Sequence, residues 1–314
     1  MRIFDALACA LMAVGIGVAA PAFATDNKIS PDTPPAEALR VGLAALKSGS
    51  TEVALDALNL AAGKGLVSAR WKLAEMYATG DGVARDDYRA FQLFVEVANG
   101  QADIGPRDAS AAYVSNAFVR LGNYYRSGIS SSPIRADLPR ARQYFTYAAS
   151  YFGDPAAQLS LARMLYSGEG GDRDLVQAAR WANLATDKGN SEAKTLLIDI
   201  SLDIAHKHLD GVPSPYDVRQ ATQWAQRASD YGSFEGQALY GKLLFDGDGI
   251  MRERVEGLTN LILALARSGD DRAVRDMQAD ARSQATPEEW ALAKQRADDW
   301  LKKNPAAAAV NLTQ

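Results

Sequence analysis

The segment that decides the fold is ARWKLAEMYATGDG, which runs from Ala69 to Gly82. Counted back from Gly80, it carries a large residue at −3, a small one at −6, a large one at −7 and a small one at −11. The same arrangement precedes three later glycines: Gly128, Gly168 and Gly247. Residues at these spacings lie along one stripe of an α-helix, and small side chains beside large ones let a second helix pack closely. The pattern predicts four copies of a glycine-terminated helix, which we call the A helices.

A second pattern defines another set of helices. It has a small or apolar residue, a large residue at +3, an apolar residue at +7 and a break near +11. Its copies begin at Ala54, Ala90, Ala141, Ala178, Ala221 and Leu258. In four copies the break is a glycine, which supplies the left-handed backbone conformation that ends a helix. These B helices alternate with the A helices, and successive copies start 36, 51, 37, 43 and 37 residues apart.

Together, an A helix and a B helix form an αα-hairpin that cannot bury its apolar stripe alone. Neighbouring hairpins must therefore stack on one another. We predict an all-α protein in which the αα-hairpin repeats form a solenoid.

Four helices are set apart from the regular repeat. Helices 36–47 and 51–64 are predicted to pair as an N-terminal cap on the solenoid. The helix Ser191–Asp210 is about two turns longer than the other A helices. At the far end, the capping box Thr286–Glu289, with proline at its second position, predicts a last helix to about Lys303.

The N-terminus is typical of a secretory signal. Arg2 is followed by the apolar run Ala6–Ala20, and small residues lead up to a predicted cleavage site after Ala24. Cys9 lies inside this segment, so the mature chain is expected to lack cysteine. No later apolar segment approaches the length needed to cross a bilayer, so the mature chain is also expected to have no membrane span. The predicted organisation is a signal peptide 1–24, a disordered lead-in 25–35, the solenoid 36–304 and a disordered tail 305–314.

Composition argues against several functional classes. The 314 residues contain 34 Lys and Arg against 38 Asp and Glu, a net charge of −4, so there is no basic excess for binding nucleic acid. One cysteine excludes a disulfide framework and a cysteine-based zinc site. His206 and His208, the only histidines, stand two positions apart and do not share a helical face. We predict no catalytic residue, no metal and no cofactor.

Three short motifs resemble binding or catalytic signatures, but each fits the repeat better. Gly236–Lys242 has the spacing of a phosphate-binding loop, but leucine follows the lysine, and both glycines occupy small positions of an A helix. Ser191 and Lys194 match the Ser-x-x-Lys of serine β-lactamases without the companion motifs of those enzymes, so we interpret Ser191 as a helix N-cap. Asp246–Gly249 lacks the spaced carboxylates of a calcium loop and fits a repeat turn.

The repeat unit is similar to the Sel1-like repeat, a relative of the tetratricopeptide repeat with a glycine-marked loop. The residues that carry this resemblance are Leu73, Ala74, Tyr77, Gly80, Gly82, Val83, Asp87 and Ala90. The resemblance extends over about residues 36–300 and implies a scaffold for interactions rather than a particular function.

A narrower part of the chain resembles the exopolysaccharide-production negative regulators (ExoR) of rhizobia and their relatives. It comprises Leu121–Ile129, Pro133–Leu138, Ala141–Gln143 and Gln158–Gly171. This resemblance implies a periplasmic protein that binds the periplasmic domain of a membrane sensor histidine kinase, holds it inactive and performs no catalysis. The stretch 191–232 looks like an extra repeat that the family pattern lacks.

The 51-residue spacing between the B-helix positions Ala90 and Ala141 marks the candidate partner site. It contains about 15 residues more than the spacings on either side. The additional residues fall in the loops Gln101–Ser110 and Ser130–Asp137, and long loops on a rigid scaffold often bind partners. Arg135 and Asp137 are predicted to project from the second loop, where the guanidinium would engage a carboxylate of the partner. The alternative is an insertion that the fold merely tolerates.

A polar stripe on the A helices adds further candidates. Stacking is predicted to align Glu75, Asn123 and Arg163 into a row, with Arg120 beside it, on the surface where such solenoids usually bind partners. The alternative is a solvated face with no function.

Two classes of function follow. The first is a periplasmic interaction protein, monomeric or weakly self-associating, that negatively regulates exopolysaccharide production by repressing a sensor kinase. The second is an envelope enzyme, or an enzyme-associated factor, that acts on peptidoglycan or polysaccharide.

Overall fold

The computed structural model describes residues 29–100, 104–211, 217–248 and 250–305. The predicted signal peptide with its cleavage site at Ala24, the first residues of the lead-in and nearly all of the predicted tail lie outside these ranges. No helix in the described ranges is long and apolar enough to cross a membrane.

The described residues fold into fourteen α-helices and one π-helical turn, and they contain no strand. The helices are α1 (Pro35–Lys47), α2 (Thr51–Gly63), α3 (Val67–Thr79), α4 (Asp87–Asn99), α5 (Ala111–Ser127), α6 (Leu138–Tyr147), α7 (Pro155–Ser167), α8 (Leu175–Asp187), α9 (Ser191–Asp210), α10 (Val218–Asp230), α11 (Phe234–Asp246), α12 (Arg254–Arg267), α13 (Arg272–Gln284) and α14 (Pro287–Lys303). From α1 to α13 each helix packs against the next, and α14 packs against α12, so αα-hairpins succeed one another as an all-α solenoid. The predicted fold class is confirmed.

Glycines end the helices at the positions that the repeat predicts. Gly80, Gly168 and Gly247 take the left-handed conformation after α3, α7 and α11, with φ of 79°, 79° and 64°. The B helices α2, α8, α10 and α12 are each followed, one residue beyond the C-cap, by a glycine with positive φ: Gly65, Gly189, Gly232 and Gly269. A residue with a side chain is strained in this conformation, so glycine sets the length of each helix.

The small residues of the pattern are buried where helices meet. Ala69 and Ala74 of α3 are fully buried, and Leu73 between them is 2% exposed. The apolar core is a succession of clusters along the chain, the first shared by α1–α5 and the next by α5–α9. Each hairpin is therefore stabilised by the hairpins on either side, as the stacking argument requires.

One B helix ends irregularly. After α6, residues Ala148–Phe152 form a π-helical turn that stops at Gly153, whose φ is 65°. Both α5 and α7 pack against this turn. Single π-helical turns are uncommon and concentrate at functional sites, so this repeat is distinguished from the others by backbone geometry as well as by length.

One helix was not predicted from the sequence, and part of the predicted lead-in has a described conformation. The sequence pattern assigned no helix between Gly269 and Thr286, yet α13 fills this interval and begins at Asp271, whose carboxylate accepts the amide of Val274 at 3.0 Å. Residues 29–34, placed in the disordered lead-in, form a turn, and Lys64 Nζ donates to the carbonyl of Thr33 at 2.8 Å. The longer helix α9 and the capping box of Thr286 are confirmed.

Substituting a glycine at a close helix contact tests this packing. A Cβ added to Gly236 would lie 2.5 Å from Cβ of Ala228, so Gly236→Ala is expected to lower the free energy of unfolding by about 1–3 kcal/mol. Gly63 is a control, because its added Cβ would meet nothing within 4 Å, and Gly63→Ala is expected to leave stability unchanged or raise it by up to about 1 kcal/mol. Urea unfolding followed by circular dichroism measures both, and equal stabilities would contradict the close approach.

Candidate interaction surface

The second lengthened loop, between α5 and α6, has a defined internal structure. The amide of Ile129 donates to the carbonyl of Ile134 at 2.9 Å. The buried Ser132 hydroxyl donates to the carbonyl of Ile129 at 2.9 Å and accepts the amide of Ile134 at 3.1 Å. Ser131 takes a positive φ of 58°, which is uncommon for a residue with a side chain. The loop is therefore a fixed platform between two helices.

The two predicted binding residues of this loop have different surroundings. Arg135 is exposed, and its guanidinium forms no hydrogen bond or ion pair within the described parts of the chain. Asp137 is the N-cap of α6, where its carboxylate accepts the amide of Arg140 at 3.0 Å. Arg135 is thus available to a partner, whereas Asp137 already has a structural role that its position in the sequence did not reveal.

A shallow depression of about 570 Å³ lies beside Arg135 and is bounded by Tyr125 and Leu138. The guanidinium of Arg140 lies 4.9 Å from the centre of the Tyr125 ring. Its hydrogen bond with Tyr125 raises the pKa of Arg140. Two arginines beside an aromatic ring suit a partner that presents a carboxylate next to an apolar group.

The predicted polar row is joined into ion pairs between helices. Arg120 of α5 forms two hydrogen bonds with Glu75 of α3, at 2.8 and 2.6 Å. Arg163 of α7 meets Glu192 of α9 at 2.7 Å, and Asn123 is exposed. Arg120 and Arg163 therefore connect successive A helices, and their charges are already paired. Their assignment as partner-binding residues stays a prediction.

A third ion pair joins α5 to the turn that follows α7. Arg126 donates to both carboxylate oxygens of Glu169, at 2.7 and 3.0 Å. The hydrogen bonds from Arg126 hold the pKa of Glu169 below its usual range, so this carboxylate remains ionised at neutral pH.

Sequence reasoning missed an aromatic patch beside the same repeat. Tyr147 and Tyr151 are 42% and 43% exposed, and their rings stack with centroids 5.3 Å apart. The Tyr151 hydroxyl donates at 3.2 Å to the carbonyl of Ile104, so the patch contacts the first lengthened loop. The spacing of Tyr144, Tyr147 and Tyr151 by three and four residues signals one helical face. The B-helix pattern hid this signal because it assigned Tyr144 to the core.

The three short motifs serve the fold. Gly236 and Gly241 lie within α11, and a Cβ added to Gly241 would stand 2.7 Å from the carbonyl of Gly257. The N-cap of α9 is Asn190, which accepts the amide of Ala193 at 2.9 Å, so the prediction of Ser191 was wrong by one residue. The segment Asp246–Gly249 contains the end of α11 at Gly247, and its last residue lies outside the described ranges.

Within the described residues, no three His, Cys, Asp or Glu side chains come together in a way that would hold a metal ion. Lys242, the lysine of the phosphate-loop motif, contacts carboxylate oxygens of Asp246 and Asp280 at 2.7 and 3.1 Å. It therefore joins α11 to α13.

Comparison with known proteins fixes the family. The Sel1 repeat model matches residues 67–96, 117–150, 155–190, 205–233 and 234–266. The exopolysaccharide production negative regulator of Rhizobium leguminosarum bv. viciae is 40% identical over 194 residues, which cover 61% of this chain and 72% of that protein. The protein of the same name from Rhizobium meliloti is 43% identical over 184 residues, 58% of this chain and 68% of its own length. The chain belongs to the Sel1-repeat exopolysaccharide production negative regulators.

Within this Sel1-repeat chain, the matched segments coincide with the hairpins α3–α4, α5–α6, α7–α8 and α11–α12, and with the last six residues of α9 followed by α10. The rest of the longer helix α9, residues 191–204, lies outside the matched segments. The match spans residues 67–266, less than the predicted 36–300, because α1, α2, α13 and α14 lie outside it.

Two solved Sel1-type structures are also similar to this chain. One is c5321, a protective antigen of uropathogenic Escherichia coli, with a TM-score of 0.43 and 18% identity; the match covers 88% of this chain but only 63% of that one. The other is a Sel1 repeat protein from Oxalobacter formigenes, with a TM-score of 0.49, 18% identity and coverage of 83% and 99%.

Double-mutant cycles test whether the polar row holds the repeats together. Glu75 is 14% exposed and accepts two hydrogen bonds, so the coupling free energy between Glu75→Gln and Arg120→Gln is expected to be about 1 kcal/mol. The matched cycle of Arg163→Gln and Glu192→Gln involves side chains 46% and 66% exposed, and it is expected to give less than about 0.5 kcal/mol. A larger coupling for the exposed pair would contradict the structural role of Glu75.

Proposed function

We propose that this protein is a periplasmic negative regulator of exopolysaccharide production that binds the periplasmic domain of a membrane sensor histidine kinase and holds it inactive. The observation that supports the regulatory role is the 40–43% identity to two proteins with that name, over most of their length. The Sel1 solenoid supports action by binding, because stacked helical hairpins present extended surfaces to partners.

The α5–α6 repeat supplies the contact surface in this proposal. Arg135 offers an exposed cation on a fixed loop, so little conformational entropy is lost when it binds. Tyr125, which bounds the same depression, stacks on Tyr144 at 5.3 Å, and Phe118 continues the ring contacts to Tyr147 at 4.6 Å. Arginine and tyrosine are enriched among residues that dominate binding energy at protein interfaces. The surface thus extends from Arg135 to the exposed tyrosines.

The periplasmic address rests on the sequence of residues 1–24. A basic start, an apolar run and a small-residue end are the parts of a cleaved secretory signal. The remaining chain contains no cysteine, which suits an oxidising compartment. The N-terminal sequence of protein recovered from periplasmic extracts tests this address, and a mature chain beginning at Met1 would contradict it.

Charge reversal tests the contact surface. Arg135→Glu is expected to weaken binding to the sensor domain by tenfold or more, because an exposed cation without an internal partner becomes an anion. The melting temperature should stay close to that of the parent, since surface changes usually cost less than about 0.5 kcal/mol. Biolayer interferometry with immobilised periplasmic domains of the host's sensor kinases measures binding.

Arg180→Glu is the matched control, because Arg180 is also exposed, lies on α8 and has no partner in the described residues. It should bind like the parent. Equal weakening by both variants would show a general charge effect, and unchanged binding by Arg135→Glu would place the site elsewhere. If the parent binds cell-wall fragments and no sensor domain, the kinase proposal is wrong.

An enzymatic role has its own test. Ser191→Ala combined with Lys194→Ala removes the Ser-x-x-Lys pair while leaving the N-cap Asn190 in place. We expect the double variant to restore normal exopolysaccharide yield in a strain that lacks the gene, as the parent does. Loss of complementation by a variant that melts normally would favour the enzyme.

A further inference from the structure

A second concave site is lined by Ser130 and Ser131, at the start of the loop whose later residues line the depression beside Arg135. It is a crevice of about 820 Å³ between the turn that precedes α4 and the loop that follows α5. This volume falls within the range of about 300–1,000 Å³ typical of small-molecule sites. The lengthened loop forms one of its walls through Ser130 and Ser131.

Tyrosine rings form the apolar part of the crevice. Tyr88 is 37% exposed, and Phe91 lies parallel to it with centroids 6.5 Å apart, which supports the ring from behind. Tyr124 is half-buried and meets the same Phe91 edge to face at 6.1 Å. The crevice therefore has an exposed aromatic ring held in a defined orientation, and a second ring beside it.

A carboxylate and a guanidinium form the polar part. Asp87 accepts the Tyr124 hydroxyl at 3.2 Å, and Arg85 donates to the same carboxylate at 3.1 Å. Burial, followed by the neighbouring Asp87, raises the pKa of Tyr124, so its hydroxyl remains a donor. The side chain of Asp87 is 30% exposed and that of Arg85 is 66% exposed, so both still face the solvent in the crevice.

Serine hydroxyls complete the rim. Ser130 and Ser131 are exposed, line the crevice and form no side-chain hydrogen bond within the described residues. The positive φ of Ser131, 58°, fixes the direction in which its side chain leaves the loop. The rim thus combines a hydrogen-bond acceptor (Asp87), a donor (Arg85) and two serine hydroxyls, each of which can both donate and accept.

The charges decide between ligand classes. A cation would compete with Arg85 for Asp87, and an anion would meet the carboxylates of Asp86 and Asp87. A polyol avoids both conflicts, because each hydroxyl can donate to the carboxylate and accept from the guanidinium or a serine. A sugar ring also has an apolar face of C–H groups that can pack on Tyr88.

We propose that this crevice binds a short saccharide, with a ring packed on Tyr88 and hydroxyls bonded to Asp87, Arg85 and the serines of the lengthened loop. Ser130 and Ser131 lie five and four residues before Arg135 in the same loop, so a saccharide bound to these serines would stand close to the partner-binding surface. A saccharide is therefore placed to change the affinity for the partner, and this regulatory step, unlike the binding itself, rests on the proposed function.

Saccharide binding is tested with the purified mature protein alone. The probes are oligosaccharides released by mild acid from the exopolysaccharide of the producing strain, and binding is measured by saturation-transfer NMR and isothermal titration calorimetry. Tyr88→Ala and Arg85→Ala are each expected to weaken binding by tenfold or more. Trp300→Ala is the matched control, because Trp300 is 36% exposed on α14, and it should bind within twofold of the parent.

Three results would overturn the site: no saccharide binding by the parent, unchanged binding by Arg85→Ala with a parent-like melting temperature, or an equal loss in Trp300→Ala. Arg85→Ala keeps the test decisive if Tyr88→Ala unfolds, since the Arg85 side chain is mostly in solvent. An arginine hexapeptide that binds the parent, and binds Arg85→Ala more tightly, while no saccharide binds either protein, would instead assign the crevice to a basic protein segment.

The regulatory step has a separate readout. Saturating oligosaccharide is expected to change the affinity of the parent for the sensor domain at least threefold, and to change that of Arg85→Ala less than 1.5-fold. If the protein binds saccharide but no sensor domain, the proposed function fails and the saccharide site stands. If it binds the sensor domain but no saccharide, only this inference fails.

Discussion

The close approach of helix backbones is the constraint on which the rest of the structure depends. At the contact between α11 and α12, a Cβ added to Gly257 would stand 2.5 Å from the carbonyl of Gly241. On α5, a Cβ added to Gly122 would stand 2.8 Å from the ring of Phe145. Such contacts fix how far apart the two helices of a hairpin lie. They leave one apolar stripe on each helix to be covered by the next hairpin. The solenoid follows from this local geometry, because stacking is how every stripe becomes buried.

Ion pairs then determine which surface charges remain for partners. The pairs Glu75–Arg120 and Arg163–Glu192 join A helices across repeats, so the polar row on those helices is largely satisfied within the protein. Arg135, on the loop that precedes α6, is exposed and is not held in this way. In this part of the solenoid, the helices provide cohesion and the loop provides a charge for recognition. A helical polar stripe is therefore weaker evidence for a binding site than its exposure implies.

The sequence predicted the parts of the fold that depend on local spacing. The A and B helices, their terminal glycines and the capping box at Thr286 were predictable because each is set by residues within about one helix length. Helix α13 was not, since Val274 and Ala281 are its only described buried residues and leave a weak pattern. The pairing of Glu75 with Arg120 joins residues 45 positions apart, and the crevice at Tyr88 is formed by two separate loops. Both depend on how the hairpins stack.

The position of the irregular features has a physical reason. Each repeat of a solenoid contacts only its neighbours, so strain introduced in one repeat need not spread along the array. The left-handed Ser131, the π-helical turn Ala148–Phe152 and both lengthened loops all occur around α5 and α6. The regular repeats on either side stabilise this repeat and so offset the free-energy cost of its unusual backbone. The first residues of the loop Ser130–Asp137 line the Tyr88 crevice and its later residues line the depression beside Arg135, so one short loop joins the two surfaces.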